Sequence, residues 1–263
     1  MADYWKNRFS YAEMKDFLEV KYEQFNNPSF IDSDPVSVPH KYSLKQDIEI
    51  AGFLTAAIAW GRRDLILRSA NALMDIMGNS PYDFILSSGD DALERLSDFY
   101  YRTFNGADCR TFMQALRNIY SKHESMEDAL LTYLVRENSW KEAVSAYRNE
   151  FFSVPHQRRT RKHFADISEG AAGKRLNMFF RWMVRDDGRG VDFGLWKGIS
   201  KSVLYIPLDF HTGNTSRKLG LLARRQNDWK AVEELTDVLR GFDEDDPVKY
   251  DFSLFGLGII EKF

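Results

Sequence analysis

Residues 170–185 read GAAGKRLNMFFRWMVR, and this stretch indicates an α-helix that opens directly after a glycine turn. Glycine adopts backbone conformations that other residues avoid, so Gly170 and Gly173 favour a tight turn. The apolar residues after Lys174 recur at helical spacing, and arginines lie between them. We therefore expect a helix over about 174–186, with one face in the core and a basic face opposite.

The same helical signals recur along the rest of the chain. Ser43 to Gln46 reads as a capping box ahead of apolar residues at helical spacing. Ser125 and Ser139 repeat the capping pattern, and Ser80 before a proline is typical of a helix start. Further helices are predicted over about 10–24, 63–77, 111–122, 210–223 and 228–240, and from about 250 onward. These signals predict an all-α fold.

Strand signals and domain boundaries are few. Residues 203–208 are apolar and extended, but Pro207 lacks the N–H that a central strand needs. Prolines mark plausible boundaries over 26–39 and 152–155. We therefore expect an N-terminal helix and linker over 1–40, followed by one helical domain over 41–263.

The amino-acid composition indicates which classes of protein this chain can belong to. A chain of 263 residues with 44% hydrophobic residues can bury a substantial core. Its single cysteine, Cys109, excludes an internal disulfide and a cysteine-ligated cluster, and fits a reducing compartment. The N-terminus lacks a signal segment, and no window approaches the roughly 18 apolar residues of a membrane span. We expect a cytoplasmic monomer without membrane contact, metal or cofactor.

Charge is distributed unevenly. The net charge is -3, yet residues 156–230 hold sixteen Lys or Arg against seven Asp or Glu. Lysine and arginine drive nucleic-acid binding because they release counterions from phosphates. This segment could therefore bind nucleic acid, and an ordinary solvated surface is the alternative.

A lysine and an aspartate stand out as candidate reactive groups. Residues 205–208 form an apolar stretch that leads to Asp209, just ahead of the helix predicted from Phe210. The Asp209 carboxylate is expected to accept backbone N–H groups of that helix. Lys174 on an apolar surface would lose hydration, which favours the neutral amine that attacks a sugar C1′ or a carbonyl. Convergence of the two suggests Schiff-base chemistry; a simple helix cap and a solvated lysine are the alternatives.

The spacing of these residues resembles the helix-hairpin-helix (HhH-GPD) DNA glycosylase superfamily. Gly170 and Lys174 match its hairpin glycine and its Schiff-base lysine, while Asp209 and His211 match its later Asp-x-His motif, with Leu-Gly at 219–220. The chain departs from the family pattern at Ala172, Thr212, Asn214 and Lys218.

Two more specific resemblances come from the interval between the two candidate residues and from longer stretches of the chain. The long interval between Lys174 and Asp209 is most similar to archaeal 8-oxoguanine glycosylases, which lack an iron–sulfur cluster. Residues 174–185, 191–196 and 246–252 also resemble an uncharacterised bacterial family of about this length, over nearly the whole chain.

The superfamily resemblance implies two helical subdomains with a helix-hairpin-helix element, a cleft between them and a catalytic region at about 165–225. A damaged base in duplex DNA would flip into that cleft. Lys174 would attack C1′ and Asp209 would assist, as in a DNA glycosylase with AP-lyase activity on an oxidised purine during base excision. Alternatives are a monofunctional glycosylase using Asp209 only, and a non-catalytic nucleic-acid-binding module on the same fold.

The resemblance and the basic segment also suggest binding residues. The residues expected to contact DNA are Gly170, Gly173, Arg175, Arg181, Arg185, His211 and Lys218. The candidates for stacking on a base are the aromatic residues Phe179, Trp182, Phe193 and Trp196, for which core packing is the alternative.

Overall fold

Helices carry this fold, as the sequence predicts. A computed structural model describes residues 9–263, apart from the side chain of Asp90. Its α-helices are α1 (Tyr11–Phe25), α2 (Lys45–Ile58), α3 (Arg63–Ile76), α4 (Pro81–Ser87), α5 (Asp90–Glu94), α6 (Gly106–Tyr120), α7 (Met126–Glu137), α8 (Trp140–Phe151), α9 (Lys174–Val184), α10 (Phe210–Lys218), α11 (Trp229–Phe242) and α12 (Tyr250–Ile259). None of these described helices is long and apolar enough to cross a membrane. The all-α prediction is confirmed.

Shorter elements connect the helices. The 3₁₀-helices are Pro28–Ser33, Pro35–Ser37, Pro39–Lys41, Arg158–His163, Lys201–Val203 and Pro247–Lys249. Strands β1 (Tyr100–Tyr101) and β2 (Phe104–Asn105) pair antiparallel as a small hairpin. The stretch at 203–208 forms no strand, in keeping with the proline at 207.

Most of the predicted caps form. The Ser125 side chain accepts the N–H of Asp128 at 3.0 Å and begins α7, and Ser139 begins α8 in the same way. Ser43 is an exception, because α2 begins at Lys45 after Leu44, and no side chain caps it. The predicted capping box therefore lies one residue too early.

Two helix boundaries also differ from the predicted ones. Helix α10 ends at Lys218 rather than near 223, because Gly220 adopts a left-handed φ of 76°. The N–H of Leu221 then bonds to the carbonyl of Ser216 at 2.8 Å, which closes the helix end. Helix α6 begins before the predicted residue 111, because Asn105 starts it with a capping box.

The chain folds as two helical units. One unit joins the described residues up to Asp32 with Glu169–Phe263, and the other is Ser33–Ser168. The N-terminal helix therefore belongs with the C-terminal part of the chain, and the divisions fall after Asp32 and Ser168 rather than near residue 40. Helix α1 packs on α12, where the Ser253 hydroxyl donates to the carbonyl of Leu18 at 2.7 Å.

The unit Ser33–Ser168 has an aromatic core. The rings of Phe53, Phe112 and Phe151, from α2, α6 and α8, lie 5.0 to 5.8 Å apart between centroids. Phe112 and Phe151 are fully buried, and Phe53 nearly so. Burial of such large rings is the main stabilising contribution that this unit can draw on. The candidate residues of the glycosylase pattern all lie in the other unit.

Candidate active site

The glycine turn ahead of α9 forms as the sequence predicts. Gly170 and Gly173 have φ values of 88° and 61°, a left-handed region that suits glycine. The carbonyl of Gly170 accepts the N–H of Trp229 at 2.9 Å, which fastens the turn to the start of α11. Ahead of the turn, the chain forms the 3₁₀-helix Arg158–His163 and then a loop. The expected helix-hairpin-helix element thus has an α-helix on its second side only.

Asp209 caps helix α10, as expected for an aspartate at this position. Its Oδ1 accepts the N–H of Thr212 at 2.9 Å, and its backbone carbonyl accepts Nδ2 of Asn227 at 2.9 Å. Among the described residues, Oδ2 of Asp209 has no hydrogen bond and the side chain is only partly buried. One carboxylate oxygen is therefore held by the backbone, and the other is available to a ligand.

Hydrogen bonds join the glycine turn to the segment that carries Asp209. Nδ2 of Asn177, one turn into α9, lies 3.4 Å from both the carbonyl of Ala172 and that of Ile206. The loop ahead of α11 makes the second link, because Asn227 bonds to Asp209 and Trp229 bonds to the turn. Residues 170–174 and 206–209 are therefore neighbours, although the sequence only allowed this.

A third ionisable residue, Asp251 on α12, is affected by the charges of both candidates. Burial raises the pKa of its carboxyl to about 6; Arg181 opposes the rise, the charge of Asp209 adds to it, and that of Lys174 opposes it. Charges affect one another in this way over roughly a Debye length, about 10 Å at 0.1 M salt. The charges of Lys174 and Asp209 therefore both act on the carboxyl of Asp251.

Lys174 is the first residue of α9 and is partly buried. Its Nζ lies 3.7 Å from Sδ of Met178, one turn along the helix. The ammonium group thus lies against the apolar side of α9, as the sequence interpretation required. Asp251 was missed by that interpretation; its only sequence signal was the stretch 246–252, which carries a family resemblance without a chemical role.

Arg181 and Arg185 occupy a buried network of ion pairs. Nε of Arg181 lies 3.2 Å from Asp192, and its Nη1 pairs with Asp251. Arg185 is fully buried and bonds to Asp192, and to Asp246 at 3.0 Å. Guanidinium groups engaged in this way are not placed for the phosphate contacts expected of them. The described residues contain no group of three His, Cys, Asp or Glu arranged to hold a metal ion.

The remaining residues expected to contact DNA lie on two helices, α9 and α10. Arg175, the second residue of α9, is partly buried, and burial lowers the pKa of its guanidinium to about 10. His211 and Lys218 are exposed on α10 and line a cleft of about 280 Å³. The two α10 residues are therefore accessible to a phosphate group.

Most of the candidate stacking residues are in the core. Phe179, Trp182 and Trp196 are at most 1% exposed, whereas Phe193 is partly buried. The Phe179 and Trp196 rings meet edge to face at 5.4 Å. These three aromatic residues therefore pack inside the protein, which was the alternative to base stacking.

Comparison with known proteins assigns this chain to a family. A family model described as "Protein of unknown function (DUF2400)" matches residues 34–260. No curated protein matches the chain, and no solved structure does. Because the match covers most of the 263 residues, this chain belongs to the DUF2400 family.

Proposed function

We propose that this chain is a DNA glycosylase with AP-lyase activity that acts on an oxidised purine, such as 8-oxoguanine, in duplex DNA. The proposal rests mainly on the hydrogen bonds that join the glycine turn to the Asp209 segment, since Lys174 and Asp209 lie on the two segments that these bonds connect. Lys174 and Asp209 have the types and the order in the chain that the resemblance to HhH-GPD glycosylases requires.

The proposed reaction begins at the sugar. The Nζ lone pair of Lys174 attacks C1′ of the damaged nucleotide while the C1′–N9 bond breaks, and the base leaves with the bonding electrons and gains a proton. The free Oδ2 of Asp209 faces the positive charge that develops on the sugar and stabilises it. The attached nitrogen then loses a proton, and its lone pair forms the C=N bond of the protonated imine while the C1′–O4′ bond breaks and O4′ gains a proton.

The imine leads to strand cleavage. Loss of a proton from C2′ breaks the C3′–O bond by β-elimination, and the 3′ phosphate leaves with that oxygen. Lys174 must lose a proton before it attacks, and we propose Asp251, whose buried carboxyl is affected by the charge of Lys174, as the group that accepts it. This residue would act in the first step, when the amine becomes a nucleophile.

The excess of basic residues around the candidate site supports a nucleic acid as the partner in this reaction. The segment 156–230, which carries the candidate site, has sixteen basic against seven acidic residues within a chain of net charge -3. His211 and Lys218 are exposed on the helix that Asp209 caps. A basic surface next to a reactive pair suits DNA, whose phosphates bind lysine and arginine.

Borohydride trapping tests the proposal directly. Wild-type protein is incubated with duplexes that contain an abasic site or 8-oxoguanine, in the presence of borohydride, which reduces the imine to a stable covalent adduct. We expect an adduct with wild type and none with Lys174→Gln. Lys230→Gln is the matched control, because Lys230 is an exposed lysine on α11, and it should form the adduct as wild type does.

The outcomes separate the mechanisms. Absence of an adduct with the wild-type protein, or an adduct that persists in Lys174→Gln, removes the lysine from the mechanism. Base release from an intact strand, lost in Asp209→Asn, would instead indicate a monofunctional glycosylase. DNA binding without any base release would indicate a non-catalytic module.

A further inference from the structure

Helix α10 begins with an exposed aromatic residue that the proposed chemistry does not use. Phe210 follows Asp209 directly and is 68% exposed. An exposed phenyl ring leaves apolar surface in water that a bound ligand could cover. Its place next to the candidate carboxylate suggests a ligand with a flat apolar face.

Hydrogen bonds hold the backbone directly before Phe210 in place. The carbonyl of Asp209 accepts the N–H of Gly213 and Nδ2 of Asn227, both at 2.9 Å. The His211 ring lies 5.5 Å from the Phe210 ring, at an angle of 87°. A partner that stacks on Phe210 would therefore meet a surface that is already positioned.

A cationic cleft continues along the same helix. Its α10 side is lined by His211, Asn214, Thr215, Arg217 and Lys218, and no acidic side chain lines it. Phe263 also lines it, with its ring 5.7 Å from the ammonium group of Lys218. Gly258 of α12 lies opposite, where a Cβ atom would stand 2.8 Å from Oγ1 of Thr215. Glycine at 258 thus keeps the cleft open, and the lining charge suits an anion such as a phosphate.

We propose that α10 binds a single DNA strand, with an unpaired base stacked on Phe210 and a nearby phosphate in the cleft beside Lys218. The two residues are about 12 Å apart along the helix at 1.5 Å per residue, so the base and the phosphate that they bind belong to nucleotides a few positions apart in the strand. Stacking on an aromatic ring accepts any base, and the cation binds the backbone. This inference rests on the proposed function, because removal of a damaged base from the duplex requires it to unpair.

Binding to a labelled single-stranded oligonucleotide tests the two contacts separately. Affinity is measured by fluorescence anisotropy over a series of salt concentrations. Phe210→Ala should weaken binding roughly 5- to 150-fold, as loss of one stacked base does, and leave the dependence on salt unchanged. Phe210→Trp should bind at least as well as wild type. Lys218→Gln should instead reduce the slope of log K against log salt by about 0.7, which corresponds to one phosphate contact.

Tyr100→Ala provides the matched control, since Tyr100 is also an exposed aromatic residue, at 71%, but lies on β1 in the other unit. It should bind as wild type does. Equal binding by Phe210→Ala and wild type, equal losses in Phe210→Ala and Tyr100→Ala, or no binding by wild type at low salt would each overturn the inference. Thermal melting should show that Phe210→Ala is folded.

This test is independent of catalysis. A wild-type protein that binds the strand through Phe210 but forms no borohydride adduct would refute the lyase and retain the binding surface. An adduct that forms while Phe210→Ala binds normally would refute the surface and retain the lyase.

Discussion

Replacement of Arg185 by methionine should destabilise the protein strongly. Arg185 directly follows the last residue of α9 and is fully buried. It makes five hydrogen bonds, two to Asp246 and one each to Asp192, Asp187 and the hydroxyl of Tyr22. Methionine fills a similar volume without charge, so the main effect is that buried carboxylates lose their counter-charge.

The cost follows from that arrangement. Removal of one partner from a buried ion pair typically destabilises by about 3–5 kcal/mol, and Arg185 serves three carboxylates. A loss of this size lowers the melting temperature by roughly 6 to 20 °C for a protein of this length. The stability of Arg185→Lys should lie between those of wild type and Arg185→Met, because a single ammonium group cannot reproduce the planar set of donors on a guanidinium.

Thermal melting and urea denaturation of wild type, Arg185→Met and Arg185→Lys measure the effect. Arg225→Met is the control, since Arg225 is exposed and such surface changes usually stay within about 0.5 kcal/mol. DNA affinity is measured well below the melting point of each variant. We expect the folded Arg185→Met protein to bind DNA as wild type does.

The opposite pattern would refute this reasoning. If Arg185→Met melts within about 1 kcal/mol of wild type but loses DNA affinity, Arg185 contacts phosphate, as the resemblance to glycosylases implied. The guanidinium would then have to leave the ion pairs with Asp192 and Asp246 on binding.

Three further variants have defined outcomes. Asp209→Asn should keep the helix cap and its stability but lose the borohydride adduct, whereas Asp209→Ala should also lose about 1 kcal/mol in urea denaturation. Since burial raises the pKa of Asp251 to about 6, its protonated form stabilises the fold below about pH 4, and this contribution is lost as the pH rises through 6. Relative to Asp251→Asn, wild type should thus lose about 2 kcal/mol between pH 4 and 7, and a constant difference would contradict the assignment. Gly173→Ala should cost about 1–2 kcal/mol in thermal melting because φ is 61°, and an unchanged melting temperature would show that the turn relaxes.

Local signals predicted the helices well. The Ser125 and Ser139 caps and the Asp209 cap involve bonds to residues three positions away, so the sequence contains both partners. Errors arose where two local signals competed, as at the start of α2, where Ser43 offered a cap but Leu44 occupies the cap position. Boundaries differ by a few residues in such cases because local preferences differ little in free energy.

The burial of the basic residues at α9 could not be predicted from local signals. Helical periodicity placed Arg181 and Arg185 on a polar face, and a polar face usually lies in water. Their partners Asp251 and Asp246 lie 70 and 61 positions away in the chain. Burial of an arginine is favourable only when such partners are present, and no local pattern specifies their approach.

Local sequence was enough to predict the helical class, the glycine turn before Lys174 and the cap at Asp209, because each depends on backbone preferences and bonds within a few residues. Long-range packing was needed to show that Asn177 and Asn227 join these two segments and that the charges of Lys174 and Asp209 act on Asp251. It was also needed to show that Phe210 is exposed whereas the ring of Trp182 is buried. Side-chain burial and long-range pairing depend on how whole helices pack, and distant parts of the chain contribute to that packing together.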